Sequence, residues 1–198
     1  MILDRNNQVL AKNSIGLYNW TLESDPGVKA IATNGGTQMI LDINNRVLAK
    51  NGIGLYNWTL ESDPGVQAIA VGSDGTQMIL DRNNQVLAKN SIGLYNWTLE
   101  SDPGVKAIAV GSDGTQMILD INNRVLAKNG IGLYNWTLES DPGVKAIATN
   151  GGTQMILDIN NRVLAKYGIG LYNWTLESDP GVQAIAVGDD GTQMILAP

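Results

Sequence analysis

Apolar residues along this chain come in runs too short for helices and too continuous for strict alternation. V-K-A-I-A-T (28–33) and T-Q-M-I-L-D (37–42) are followed by V-L-A-K (47–50) and Y-N-W-T-L-E-S (56–62). The segments between them are N-G-G or S-D-G, N-N, G-I-G or S-I-G, and D-P-G. A proline with fixed φ beside a permissive glycine closes a turn, and Asn-Asn accepts the left-handed conformations of a tight hairpin. No window of ten or more residues carries a 3.6-residue period. The pattern predicts short antiparallel strands joined by hairpins, and an all-β fold.

The pattern also repeats. Met-Ile-Leu begins at Met1, Met39, Met78, Met117, Met155 and Met194, and G-L-Y-N-W-T-L-E-S-D-P-G recurs unchanged from Gly16, Gly54, Gly93, Gly132 and Gly170. Four strands in a unit of roughly 40 residues match one blade of a β-propeller. Met-Ile-Leu and Ala-Ile-Ala-Val suit inner strands covered on both faces by neighbouring blades, and the small alanines (Ala30, Ala32) suit a strand crowded near an axis. Trp20 and Leu22 alternate with Thr21 and Glu23, as on an outer strand with one wetter face.

The fold expected is a single five-bladed β-propeller of four-stranded antiparallel blades, closed by pairing of the N- and C-terminal strands. Its units are 1–38, 39–77, 78–116, 117–154 and 155–193, with a terminal strand at 194–198. A linear solenoid needs atypical polar end repeats, whereas this motif runs undiminished into both ends. A β-trefoil needs three-fold repetition. Because Met194–Leu196 duplicates Met1–Leu3, one triplet is expected to pair in the closing blade and the other to be displaced.

Composition narrows the chemistry. Of 198 residues, 43% are hydrophobic and 16% charged, a globular balance. Apolar runs of a few residues cannot span a membrane, and no secretory leader is expected, since residue 1 already lies inside the repeat. Cysteine and histidine are both absent, which removes disulfides, thiolate metal sites and Ser-His-Asp or Cys-His catalysis. The net charge is −6 with the basic residues dispersed, so nucleic acid is not an expected partner. A monomeric ring without metal or cofactor is expected.

Few positions distinguish the copies. Arg5 with Gln8 and Arg82 with Gln85 become Ile43 with Arg46, Ile121 with Arg124, and Ile159 with Arg162, so every unit keeps one arginine in the same hairpin. Such uniformity marks recent amplification or design, and it means identity between copies cannot by itself mark a site.

The richest constellation is the aromatic–amide–aromatic triplet. An indole offers a flat apolar face to sugar C–H groups, and asparagine offers paired donors and acceptors to hydroxyls. Blade-to-blade packing is the competing role for the tryptophan. Candidate binding residues are Tyr18, Asn19, Trp20 and Asp25; Tyr56, Asn57, Trp58 and Asp63; Tyr95, Asn96, Trp97 and Asp102; Tyr134, Asn135, Trp136 and Asp141; and Tyr172, Asn173, Trp174 and Asp179. The hairpin arginines Arg46, Arg124 and Arg162 support them. Asn19-Trp20-Thr21 matches a glycosylation acceptor, read as chance. S-D-G and D-R-N-N lack the acid density of a calcium loop and read as turns. Glu23 and Asp25 are paired carboxylates, yet nothing in the sequence splits their acidities, so no enzyme is expected.

G-V-K-A-I-A-V-G-S-D-G, then N-N-Q-V-L-A-K, then W-T-L-E resembles the tectonin repeat of β-propeller lectins, over essentially the whole chain. Five units make it similar to the tachylectin-2-like lectins. That resemblance implies non-catalytic binding of glycans, N-acetylated sugars among them, at up to five equivalent sites, with avidity from multivalency. The near-identity of copies equally suits a designed or consensus propeller scaffold with no ligand.

Overall fold

The computed structural model describes every residue except Ser14, Ile15, Leu17, Leu55, Leu94, Leu133, Leu171 and Pro198. Ser14 and Ile15 of the first unit's S-I-G loop therefore lie outside the described residues. A three-stranded sheet comes first: β1 (Ile2–Leu3), β2 (Val9–Ala11) and β3 (Thr21–Leu22). Four complete blades follow. The first is β4 (Val28–Asn34), β5 (Thr37–Asp42), β6 (Val47–Asn51) and β7 (Thr59–Leu60). The second is β8 (Val66–Val71), β9 (Thr76–Asp81), β10 (Val86–Asn90) and β11 (Thr98–Leu99). The third is β12 (Val105–Val110), β13 (Thr115–Asp120), β14 (Val125–Asn129) and β15 (Thr137–Leu138). The fourth is β16 (Val144–Asn150), β17 (Thr153–Asp158), β18 (Val163–Tyr167) and β19 (Thr175–Leu176). A two-stranded hairpin, β20 (Ala184–Val187) and β21 (Gln193–Leu196), ends the chain.

The Met-Ile-Leu run is apolar throughout because a blade has neighbours on both faces. Successive strand residues point to opposite faces. Met39 and Leu41 pack toward the following blade with Val66, Val71 and Ile79, while Ile40 packs toward the preceding sheet with Val9 and Val28. The core is thus a series of inter-blade layers, and those of Met39, Met78 and Met117 each receive a tryptophan from the later blade, as Trp97 joins the layer of Met39 and Leu41. Methionines 39, 78, 117 and 155 are fully buried, and each burial stabilises by about 1.5–3 kcal/mol.

The turns are built as the composition suggests, with one refinement. In each N-N hairpin only the second asparagine, such as Asn45 (φ 62°) or Asn84 (φ 59°), takes the left-handed conformation. Its backbone oxygen then accepts the N–H groups that open the next inner strand: Asn45 O accepts from Gly65 and Val66 at 3.0 Å. A β-bulge early in each complete inner strand, between Val28 and Ala30 in β4, leaves Lys29 free to donate to Asn45 Oδ1 at 2.7 Å. Gln67 donates to Asn84 at the same place, which explains why lysine and glutamine interchange there.

Residues of the five inner strands β4, β8, β12, β16 and β20, Ala32, Ala70, Ala109, Ala148 and Ala186 among them, line one central cavity of about 330 Å³. The alanines stand where the crowded axis requires them. Among the described residues no helix is long and apolar enough to cross a membrane.

Two expectations are corrected. The fifth blade exists in two pieces, and its N- and C-terminal strands do not pair with each other. β1 pairs with β2, Ile2 opposite Leu10, and β21 pairs with β20, Ile195 opposite Ile185. Neither duplicate triplet is displaced from pairing, because each finds a hairpin partner next to it in sequence. β21 stays on the outside, with Met194 66% exposed where Met39 is wholly covered. The second correction concerns the outer strand, which is only Thr-Leu. Both Thr21 and Leu22 are exposed, whereas Glu23, placed by alternation on the wet face, is fully buried.

Candidate functional site: a groove repeated on successive blades

Three pieces of chain build each groove. On the second blade they are the link Asp63-Pro64-Gly65, the β9–β10 hairpin with Asp81, Arg82 and Asn83, and the segment ahead of β11 with Tyr95 and Trp97. Val66, Ile79 and Leu87 form the apolar floor of a cavity of about 270 Å³. The third blade repeats the design with Asp102, Asp120, Arg124, Tyr134 and Trp136 around about 370 Å³. Open, partly apolar recesses with a few convergent polar groups are the usual form of a ligand site.

The predicted residues divide on this geometry. Tyr95 with Trp97, and Tyr134 with Trp136, share a groove, and Arg124 joins the latter. The aspartate partner comes from the preceding unit: Tyr95 and Trp97 face Asp63 rather than Asp102, and Tyr134 faces Asp102 rather than Asp141. Sequence grouping missed this because D-P-G is the link between blades, so each groove straddles two sequence units. The asparagines of the triplet are exposed, and Asn96 and Asn135 line neither groove. Tyr56, Tyr95, Tyr134 and Tyr172 are all 52% exposed, so the four complete blades give their tyrosine one environment. Tyr18 is 99% exposed. Its Asp equivalent, Asp179, precedes β20, while Arg5, Tyr18 and Trp20 belong to the N-terminal piece. The fifth groove is therefore divided between the two ends.

Tryptophan holds its wall through a clamp that crosses blades. The Trp97 indole N–H donates to the backbone oxygen of Glu61 at 2.7 Å, and Trp58, Trp136 and Trp174 do the same to Glu23, Glu100 and Glu139. The carboxylate of the same glutamate ion-pairs with a buried lysine of the tryptophan's own blade: Glu23 with Lys50, Glu61 with Lys89, Glu100 with Lys128 and Glu139 with Lys166. Its second oxygen accepts a glycine N–H, Gly93 to Glu61 at 2.8 Å. The lysine ammonium lies over the indole, Lys89 at 4.9 Å from the Trp97 ring centre, a cation–π contact. Glu23 is thus tied to Lys50 and separated in environment from the exposed Asp25. The sequence signal for this clamp is a lysine in every V-L-A-K and a glutamate in every T-L-E-S.

Arginine takes two settings. Arg46, Arg124 and Arg162 grip Asp42, Asp120 and Asp158 with two nitrogens, Nε at 2.9 Å and a terminal nitrogen at 2.8 Å. Burial alone would raise these carboxyls. Hydrogen bonds from the arginine backbone and guanidinium, the arginine charge and the Asn N–H overcome it and hold them below the usual carboxylate range. Arg82, a groove residue outside the predicted set, has no hydrogen bond or ion pair among the described residues. Among those residues no group of three or more acids could hold a metal ion.

Five inner strands about one cavity, in sheets ordered from inside outward, define a β-propeller. The chain is similar in fold to Prp20p of Saccharomyces cerevisiae, an RCC1 propeller described with its binding to Gsp1p and histones. It matches with a TM-score of 0.63 and 13% identity over 81% of this chain and 54% of that one. A second structure of yeast RCC1, bound to Kap60, gives 0.61 and 13% over 85% and 55%. YCF48 of Cyanidioschyzon merolae gives 0.58 and 11% over 90% and 69%. The chain thus spans about half the length of the RCC1 structures it matches. No family model and no curated protein matches it.

Proposed function

We propose that this propeller is a multivalent lectin, binding glycans without catalysis in its repeated grooves. The observation that carries the reading is the half-exposed tyrosine beside a clamped tryptophan, facing an aspartate across an apolar floor, on one blade after another. A sugar presents an apolar C–H face to the ring and hydroxyls to the carboxylate and guanidinium. The tectonin-like residues support the same reading. Binding rather than chemistry is supported by Glu23, Glu61, Glu100 and Glu139, each held in a buried ion pair with a lysine. Individual sites of this openness are weak, and multivalency raises their effect by about 10²–10⁴.

A glycan array probed with the intact protein tests the reading. Saturable binding to one class of sugar, weakened by Tyr95→Ala and its copies, is the expected result. Silence across the array would leave a propeller scaffold without a sugar ligand.

A further inference from the structure

The grooves come in two chemical kinds. On the first, third and fourth blades an isoleucine lies over the glycine of the D-P-G link: Ile43 on Gly27, Ile121 on Gly104 and Ile159 on Gly143. These isoleucines are 57–59% exposed, and the arginine three residues on is bound to its aspartate. On the second blade Arg82 occupies the isoleucine position. Its Cδ lies 3.4 Å from where a Cβ on Gly65 would stand, so the stem rests flat on the link and the guanidinium lines the groove. Gln85 takes the other position, and Asp81 is satisfied by the turn instead, accepting from Asn83 N, Asn83 Nδ2 and Gln85 N at 2.9–3.1 Å.

The arginine has therefore moved from a carboxylate-bound place to an unbound one, with nearly everything else in the groove kept. A guanidinium with open donors matches a planar carboxylate in two parallel hydrogen bonds. An exposed isoleucine at the same spot offers only an apolar surface. We propose that the Arg82 groove takes an acidic sugar, its carboxylate seated on the guanidinium, while the isoleucine grooves take neutral sugars. Arg5 is the equivalent cation of the divided fifth groove. The proposal rests on the lectin reading and adds to it that the ring is not five-fold uniform toward its ligands.

The test is calorimetric titration with a glucuronate-terminated oligosaccharide and with its carboxyl-reduced, neutral counterpart. The wild type should bind the acidic probe at fewer places than the neutral one, and more weakly at high salt. Arg82→Ile should weaken acidic binding at one place by about tenfold or more and leave neutral binding at the three isoleucine grooves untouched. The exchange Ile121→Arg with Arg124→Gln copies the second blade's residues into the third, and it should add one acidic place. Neutral binding with acidic binding indifferent to both variants would overturn this proposal and spare the lectin reading. No binding of either probe by any of the proteins would overturn both.

Discussion

Lys89 on the second blade forms a buried ion pair with Glu61 at the end of the first, and the same glutamate accepts the Trp97 indole N–H on its backbone oxygen. One residue thereby sets the spacing of two blades and fixes the aromatic wall of a groove.

Removing one partner of a buried pair leaves the other charge uncompensated, which costs about 3–5 kcal/mol. Glu61→Ala should therefore lower stability by that order in chemical denaturation. Glu177, the same position at the end of the fourth blade, is exposed while the other four glutamates are fully buried. Glu177→Ala should cost under about 0.5 kcal/mol, as exposed substitutions do. An equal loss at both positions would show Glu177 buried against the other end of the chain.

Ser91 offers a gain. It sits at φ 65°, where Gly52, Gly130 and Gly168 stand on the other complete blades at 73–76°. Its N–H reaches Gly75 O only at 3.4 Å, against 3.0 Å for Gly52 to Gly36. Gln77 lacks the bond to a backbone oxygen that Gln38, Gln116 and Gln154 make. Ser91→Gly should raise stability by about 1 kcal/mol, measured as a shift in the denaturant midpoint with unchanged slope.

The Asp–Arg hairpins set an acid limit. Asp42, Asp120 and Asp158 have folded pKa values below the 3.8 of the unfolded chain. Their stabilisation is present above that value and fades as pH falls through it toward the folded pKa. Asp120→Asn should be less stable than wild type at neutral pH, with the gap narrowing below about pH 3.8. A gap constant from pH 7 to pH 3 would refute that role for the carboxylate.

Much of the fold was legible because the repeat supplies it: strand runs, hairpin turns and the alanine-lined axis all follow from spacing and composition. Glu23 misled because period-two alternation was extended past Leu22. The strand ends there, and the next side chain turns toward another blade's lysine. The terminal strands misled because competition between duplicates assumes one sheet, and local hairpin pairing gave each its own. That Tyr95 and Trp97 stand together was legible, but the aspartate they face was not, since it arrives from the previous unit. Arg82 looked like a relocated charge until the structure showed the bound and unbound settings of the same side chain.

The most direct test counts occupied sites. Native mass spectrometry of the protein with a saturating neutral glycan identified on the array should show at least three bound copies, one for each isoleucine groove of the first, third and fourth blades. Tyr134→Ala and Tyr134→Ala/Tyr172→Ala should lose one and two of them. Binding whose number and strength do not change as these tyrosines are removed would contradict the account.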